Sequence, residues 1–143
     1  VLSRQNLDVT AGSSMEEVAK GAYVSYETNK DFGRIIIATG SEVSLAVGAA
    51  KELEKAGESV RVVSMPSMEL FERQSCEYKE SILPKGVRNR VSLEMGSTFG
   101  WHKYVGMDGL AIGIDTFGAS APAGKVIEEY GFTVEKIVNK IKG

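Results

Sequence analysis

The sequence predicts an α/β fold: a mostly parallel sheet with helices on both faces. Residues 34–39 (RIIIAT) form an uninterrupted, largely β-branched run, the pattern of a strand covered on both sides. Directly after it, Val43, Ala46, Val47, Ala50 and Leu53 recur at three-to-four spacing, the apolar stripe of a helix. Buried-strand and amphipathic-helix patterns then alternate toward the C-terminus, as expected of parallel strands joined by crossover helices.

Residues 7–14 are polar and read as a linker, and residues 16–20 suit one turn of helix. Residues 22–27 alternate apolar and polar, so they are expected to form a strand with one wet face, antiparallel at an edge of the sheet. Asn29-Lys30-Asp31 is a turn before the 34–39 strand. Gly40-Ser41 turns into a helix over residues 42–56, with Ser41 as its N-cap, Glu42 at the positive helix end and Gly57 as its stop. A strand over 60–65 ends at Pro66. Ser67 and Ser75 are expected to cap short helices reaching Phe71 and Leu83, the second stopped by Pro84. Strands are expected over 90–95 and 110–114, separated by a glycine- and aromatic-rich loop over 96–109. Pro122 fits the first turn of a helix ending near Tyr130-Gly131. Thr133 caps a last helix striped by Val134, Ile137, Val138 and Ile141, with Phe132 and Ile137 as a hydrophobic staple.

A chain of 143 residues fits one domain, and at that size roughly 70% of the unfolded surface can be buried. Apolar content of 43% and charged content of 25% are those of an ordinary globular protein. A net charge of −2 gives no basis for binding nucleic acid or an anionic membrane. The one basic run, Lys85 with Arg88 and Arg90, reads as a solvated strand edge. Cys76 is the sole cysteine, which excludes an internal disulfide and a cysteine zinc cage and fits a reducing compartment. No apolar run approaches the ~20 residues of a membrane helix.

In a parallel sheet, ligands sit beyond the carboxyl ends of the strands. Gly40-Ser41-Glu42, Ser64-Met65-Pro66-Ser67, Glu94-Met95-Gly96-Ser97 and Asp115-Thr116-Phe117-Gly118 should gather there. Free N–H groups at such turns can hold an anion. Against that, small residues and capping serines are needed for tight turns anyway, no GxGxxG or P-loop lysine is present, and Glu94 and Asp115 would repel phosphate. The balance favours a structural role. His102, the one histidine, lies between Trp101 and Lys103 and fits an aromatic contact surface better than catalysis. Cys76 has no electropositive sequence neighbour to activate it. No paired-carboxylate motif can be read. Met95, Phe99, Trp101, Tyr104, Val105 and Met107 are too many large apolar groups for a solvated loop; they are tucked under the sheet or used against another domain, with the balance slightly toward docking.

The chain opens Val1-Leu2-Ser3-Arg4-Gln5-Asn6-Leu7, which reads as the tail of a strand from a preceding unit, with a cation delivered at its end. The expectation is a piece of a larger protein. The Arg4 guanidinium offers a planar fork of donors suited to a phosphate monoester, or to a salt bridge with a neighbouring domain.

Leu2-Ser3-Arg4-Gln5-Asn6-Leu7, Ile37-Ala38-Thr39-Gly40-Ser41-Glu42-Val43 and Val60-Arg61-Val62-Val63-Ser64-Met65-Pro66-Ser67 resemble transketolase, in order and at matching spacing. So do Gly100-Trp101-His102-Lys103-Tyr104-Val105-Gly106, Thr116-Phe117-Gly118-Ala119-Ser120-Ala121-Pro122 and Gly131-Phe132-Thr133. The resemblance covers essentially the whole chain and falls on the C-terminal portion of that enzyme. It implies a three-layer α/β/α domain with a five-stranded, mostly parallel mixed sheet over residues 15–143, and a stretch over 1–14 closing a preceding pyrimidine-binding domain.

For the whole enzyme it implies a cytoplasmic homodimeric transferase of the pentose phosphate pathway. That enzyme moves a two-carbon ketol unit from a ketose phosphate to an aldose phosphate, using thiamine diphosphate and a divalent cation, Mg or Ca. Arg4 matches the family arginine that contacts the substrate's phosphate. No catalytic, cofactor-binding or metal-binding residue carries over. The metal-diphosphate motif beginning Gly-Asp-Gly is absent, and His102 matches no substrate-handling histidine. The chain alone is therefore expected to be catalytically silent. Its expected partners are sugar phosphates, the upstream domains and a second subunit, without nucleic acid or membrane. The competing readings are a regulatory small-anion or nucleotide-binding module and a purely structural interaction domain.

Overall fold

The computed structural model describes residues 13–115 and 130–143. The elements run α1 (Met15–Ala19), β1 (Tyr23–Glu27), β2 (Arg34–Ala38), α2 (Glu42–Lys55), β3 (Val60–Ser64), α3 (Met68–Glu72), α4 (Cys76–Ile82), β4 (Arg90–Leu93), α5 (His102–Val105), β5 (Leu110–Ile112) and α6 (Val134–Lys142). The helix expected from Pro122 lies outside the described residues.

The sheet has five strands in the order β1-β3-β2-β4-β5. All pairings are parallel except β1 with β3, so the mixed sheet and its antiparallel edge strand are as expected. Ile35, Ile36, Ile37 and Ala38 of β2 are all fully buried, the result of placing a β-branched run between two parallel neighbours and two helical layers. Ile36 and Ala38 join Val60, Val62, Val91 and Leu93 under α2 and α6. Ile35 and Ile37 face the other way, onto Phe71, Ile82, Trp101 and Tyr104 from the α3–α5 side. Those two cores define a three-layer α/β/α sandwich.

Small residues on α2 let α6 approach. Ala46, Ala49 and Ala50 are buried, and a Cβ added to Gly48 would meet a Val134 methyl at 2.8 Å. The staple residues Phe132 and Ile137 are fully buried in this layer, and the Thr133 hydroxyl accepts from the Lys136 N–H at 3.3 Å. Ser67 and Ser75 cap α3 and α4 likewise, accepting from Leu70 and Tyr78.

Ser41 does not cap α2. Its backbone is already helical (φ −65°, ψ −27°), which turns its hydroxyl away from the following N–H groups. The hydroxyl instead donates to Glu42 Oε1 at 3.0 Å.

The basic run is only partly as expected: Lys85 and Arg88 are exposed, but the strand is not an edge and Arg90 is not solvated. β4 lies between β2 and β5, and Arg90 is half-buried, its guanidinium bound to main-chain carbonyls. Within residues 96–109 the apolar groups divide. Trp101, Tyr104 and Val105 are buried beneath the sheet by the short helix α5, whereas Phe99 and Met107 are fully exposed. The docking expectation thus applies only to Phe99 and Met107, and Trp101 belongs to the core.

Gly21 packs tightly against the backbone of α3. It has φ +87°, and an added Cβ would lie 2.3 Å from Phe71 N and 2.4 Å from Ser67 O. Gly21→Ala should therefore cost at least about 2 kcal/mol in urea unfolding, from left-handed strain plus the clash. Gly33→Ala, which has open space and no positive φ, should stay within about 0.5 kcal/mol. Equal effects at the two sites would contradict this packing.

Candidate functional site

The carboxyl ends of the parallel strands collect the expected turns. Gly40-Ser41-Glu42 follows β2, Met65-Pro66-Ser67 follows β3 and Glu94-Met95-Gly96-Ser97 follows β4. Asp115 follows β5, and the rest of its segment lies outside the described residues.

The N–H groups at this edge are largely used internally. Glu42 N–H donates to Thr39 O at 3.2 Å, Met65 N–H to Ala38 O at 2.8 Å and Ser67 N–H to Gly21 O at 3.1 Å. In the 97–99 loop the anion held is the protein's own. Asp115 accepts from the Thr98 N–H at 2.8 Å, the Thr98 hydroxyl at 2.8 Å and the Ser97 hydroxyl at 3.1 Å. The Thr98 N–H and hydroxyl lower its pKa most, with help from Ser97 and the nearby His102. This turn is occupied by a carboxylate where an anionic ligand would sit.

The edge is acidic in a second place. Glu42 is only 4% exposed, and Glu94 is half-buried at the end of the neighbouring strand. Burial pushes the Glu42 carboxyl up, against the opposing pull of its own N–H and the Ser41 hydroxyl. Burial also pushes Glu94 up, and repulsion from Glu42 adds to it. No single motif announces this pair. The signal is the pairing of Ala38 with Leu93, which brings the segments following β2 and β4 together, and it requires knowing that these strands are adjacent.

The other flagged residues are dispersed. His102 is exposed at the start of α5, and Cys76 is exposed at the start of α4. Arg4 lies outside the described residues. A polar hub that sequence reading missed sits on Glu72. Its carboxylate accepts from the Tyr104 hydroxyl at 2.9 Å, with Lys103 Nζ at 3.0 Å and Lys79 Nζ at 3.7 Å. Burial and Glu72 together hold the Tyr104 phenol well above its ordinary value. Among the described residues no three His, Cys, Asp or Glu side chains converge on a position for a metal ion, and the acidic edge does not fit a diphosphate. No helix among them is long and apolar enough to cross a membrane.

Fold and site together define a three-layer α/β domain whose ligand-facing edge carries carboxylates and self-satisfied turns. The family model described as the transketolase-like TK C-terminal domain matches residues 21–133, and the chain belongs to that family. It is 61% identical over 142 residues to a probable transketolase of Streptococcus pneumoniae serotype 4, a match covering 99% of this chain and 22% of that protein. It is 56% identical over 144 residues to a transketolase of Staphylococcus aureus, again covering 99% of this chain and 22% of the relative. Among solved structures, transketolase from Leishmania mexicana superposes with a TM-score of 0.87 at 47% identity, over 97% of this chain and 20% of that one. A Pichia stipitis transketolase in complex with sedoheptulose 7-phosphate gives 0.89 at 44% identity, over the same shares. The chain thus spans about a fifth of the length of the relatives it matches.

The acidic pair has a pH consequence. A carboxyl whose folded pKa exceeds its unfolded value binds its proton more tightly when folded. Stability then falls as pH rises from the unfolded value through the folded one, and the penalty is complete above it. Glu94→Gln should raise the melting temperature at pH 7, and the gain should shrink to nothing below the ordinary carboxyl value of 4.5. A gain that persists unchanged at low pH would exclude charge burial as its cause.

Proposed function

We propose that the chain is the C-terminal portion of a transketolase, a transferase moving a two-carbon ketol unit from a ketose phosphate to an aldose phosphate. The observation that carries this is the 61% identity running across 99% of the chain to a protein named as a probable transketolase. Residues 1–14 close a preceding domain and link it to the domain that follows. The substrate class is supported by the Pichia stipitis structures described as complexes with xylulose 5-phosphate and sedoheptulose 7-phosphate. The whole enzyme works as a cytoplasmic homodimer in the pentose phosphate pathway, with upstream domains and a second subunit as partners.

Among the described residues no three His, Cys, Asp or Glu side chains converge on a position for a divalent cation. Thiamine diphosphate, which carries the carbon–carbon chemistry, is assigned to the part of the enzyme beyond this chain. This chain contributes a rigid domain, the exposed Phe99 and Met107 for packing against its neighbours, and Arg4 as a donor to the substrate's phosphate. The acidic edge speaks against the regulatory-anion alternative at the carboxyl ends, because Glu42, Glu94 and Asp115 would repel such a ligand.

A charge-assisted pair contributes about 1.5–3 kcal/mol, so Arg4→Ala in the full-length enzyme should raise KM for phosphorylated ketoses about 10- to 150-fold. Arg4→Lys should recover part of that loss. An unchanged KM in steady-state assays would remove Arg4 from the phosphate site.

A further inference from the structure

At the amino-terminal edge of the sheet, opposite the carboxylates, Arg90 opens β4 and forms the wall of a cleft. Its guanidinium donates to Val87 O at 2.8 Å, Tyr104 O at 2.9 Å, Leu83 O at 3.2 Å and Pro84 O at 2.8 Å. All four acceptors are neutral carbonyls. The hydrogen bonds fix the group in place without cancelling its charge, and no carboxylate among the described residues forms an ion pair with it. A half-buried cation held this way projects its field into whatever space adjoins it.

That space is a pair of cavities of about 200 and 320 Å³, which share Lys85, Arg90, Lys103 and Tyr104 as a common wall. Arg88 adds a cation to the smaller cavity and Lys79 to the larger. Three carboxylates also line the cleft and partly offset these five cations. Asp108 pairs with Arg88, Glu72 takes Lys103 and Lys79, and Glu80 accepts the Lys85 N–H at 2.9 Å. The exposed Lys85 ammonium has no ion pair among the described residues. Net positive charge is therefore concentrated here, in a chain whose net charge is −2.

We propose that this cleft binds a small polyanion bearing phosphate or diphosphate groups, with Lys85 as its direct contact and the carbonyl-anchored Arg90 as the fixed charge behind it. Two neighbouring cavities lined by the same cations suit a ligand with two charged groups better than a single anion. The site is separate from the carboxyl edge and does not depend on the transketolase reading.

The test is a nuclear magnetic resonance titration of the 143-residue chain with inorganic pyrophosphate, comparing the wild type with Lys85→Gln and Lys30→Gln. Lys30 is an exposed lysine in the turn before β2, so its variant loses the same charge elsewhere. The proposal expects saturable shifts at residues 83–90 and 103–108, weakened about tenfold or more by Lys85→Gln, the loss of one charge-assisted contact. It expects no change with Lys30→Gln, and the amide spectra report whether each variant is folded. Absence of saturable shifts, or equal weakening by the two variants, overturns it.

Discussion

The domain depends on burying β2 on both faces at once. With Ile35, Ile36, Ile37 and Ala38 at zero exposure, each of the three isoleucines contributes about 1.5–3 kcal/mol, Ile36 when the α2–α6 layer docks and Ile35 and Ile37 when the α3–α5 layer docks. The strand has β3 and β4 as parallel neighbours, so its backbone groups are paired on both sides. The same requirement explains the small residues of α2, the stapled start of α6 and the aromatic plug of Phe71, Trp101 and Tyr104 on the opposite layer. Edge elements can then be held by polar clamps. Arg61 joins β1, β3 and α4 through Glu27 at 2.6 Å, the carbonyls of Ser81 and Ile82, and the Phe32 ring at 4.0 Å.

A sheet fixed in this way presents two edges of opposite character. The carboxyl edge, where α/β domains commonly bind ligands, brings Glu42 and Glu94 together and spends its loop donors on Asp115. The amino edge gathers cations around Arg90 and the hub on Glu72. Neither arrangement supplies a nucleophile poised beside a base.

Local rules made much of this legible before the structure. The β-branched run of β2, the stripe of α6 and the caps at Ser67, Ser75 and Thr133 depend on neighbours within a few residues, and all appear as expected. What escaped was non-local, or settled by fine backbone geometry. Arg90 reads as a surface cation until β4 is known to be an inner strand and Leu83, Pro84, Val87 and Tyr104 turn their carbonyls toward it. Ser41 carries a capping side chain but has a helical backbone, so its hydroxyl serves the buried Glu42 instead. The four-residue helix α5 is too short to announce a period, yet it decides that Trp101 goes inward while Phe99 stays out. The Glu42–Glu94 pair needed strand order as well as sequence, since either residue alone is an ordinary helix-start or strand-end carboxylate.

Scaffold without reactive centre is the claim on which the functional account rests. It is tested most directly by assaying the purified 143-residue chain for ketol transfer between xylulose 5-phosphate and ribose 5-phosphate, with thiamine diphosphate and Mg²⁺ supplied. The account predicts no turnover above the protein-free rate. Sustained product formation that scales with the concentration of this chain would contradict it.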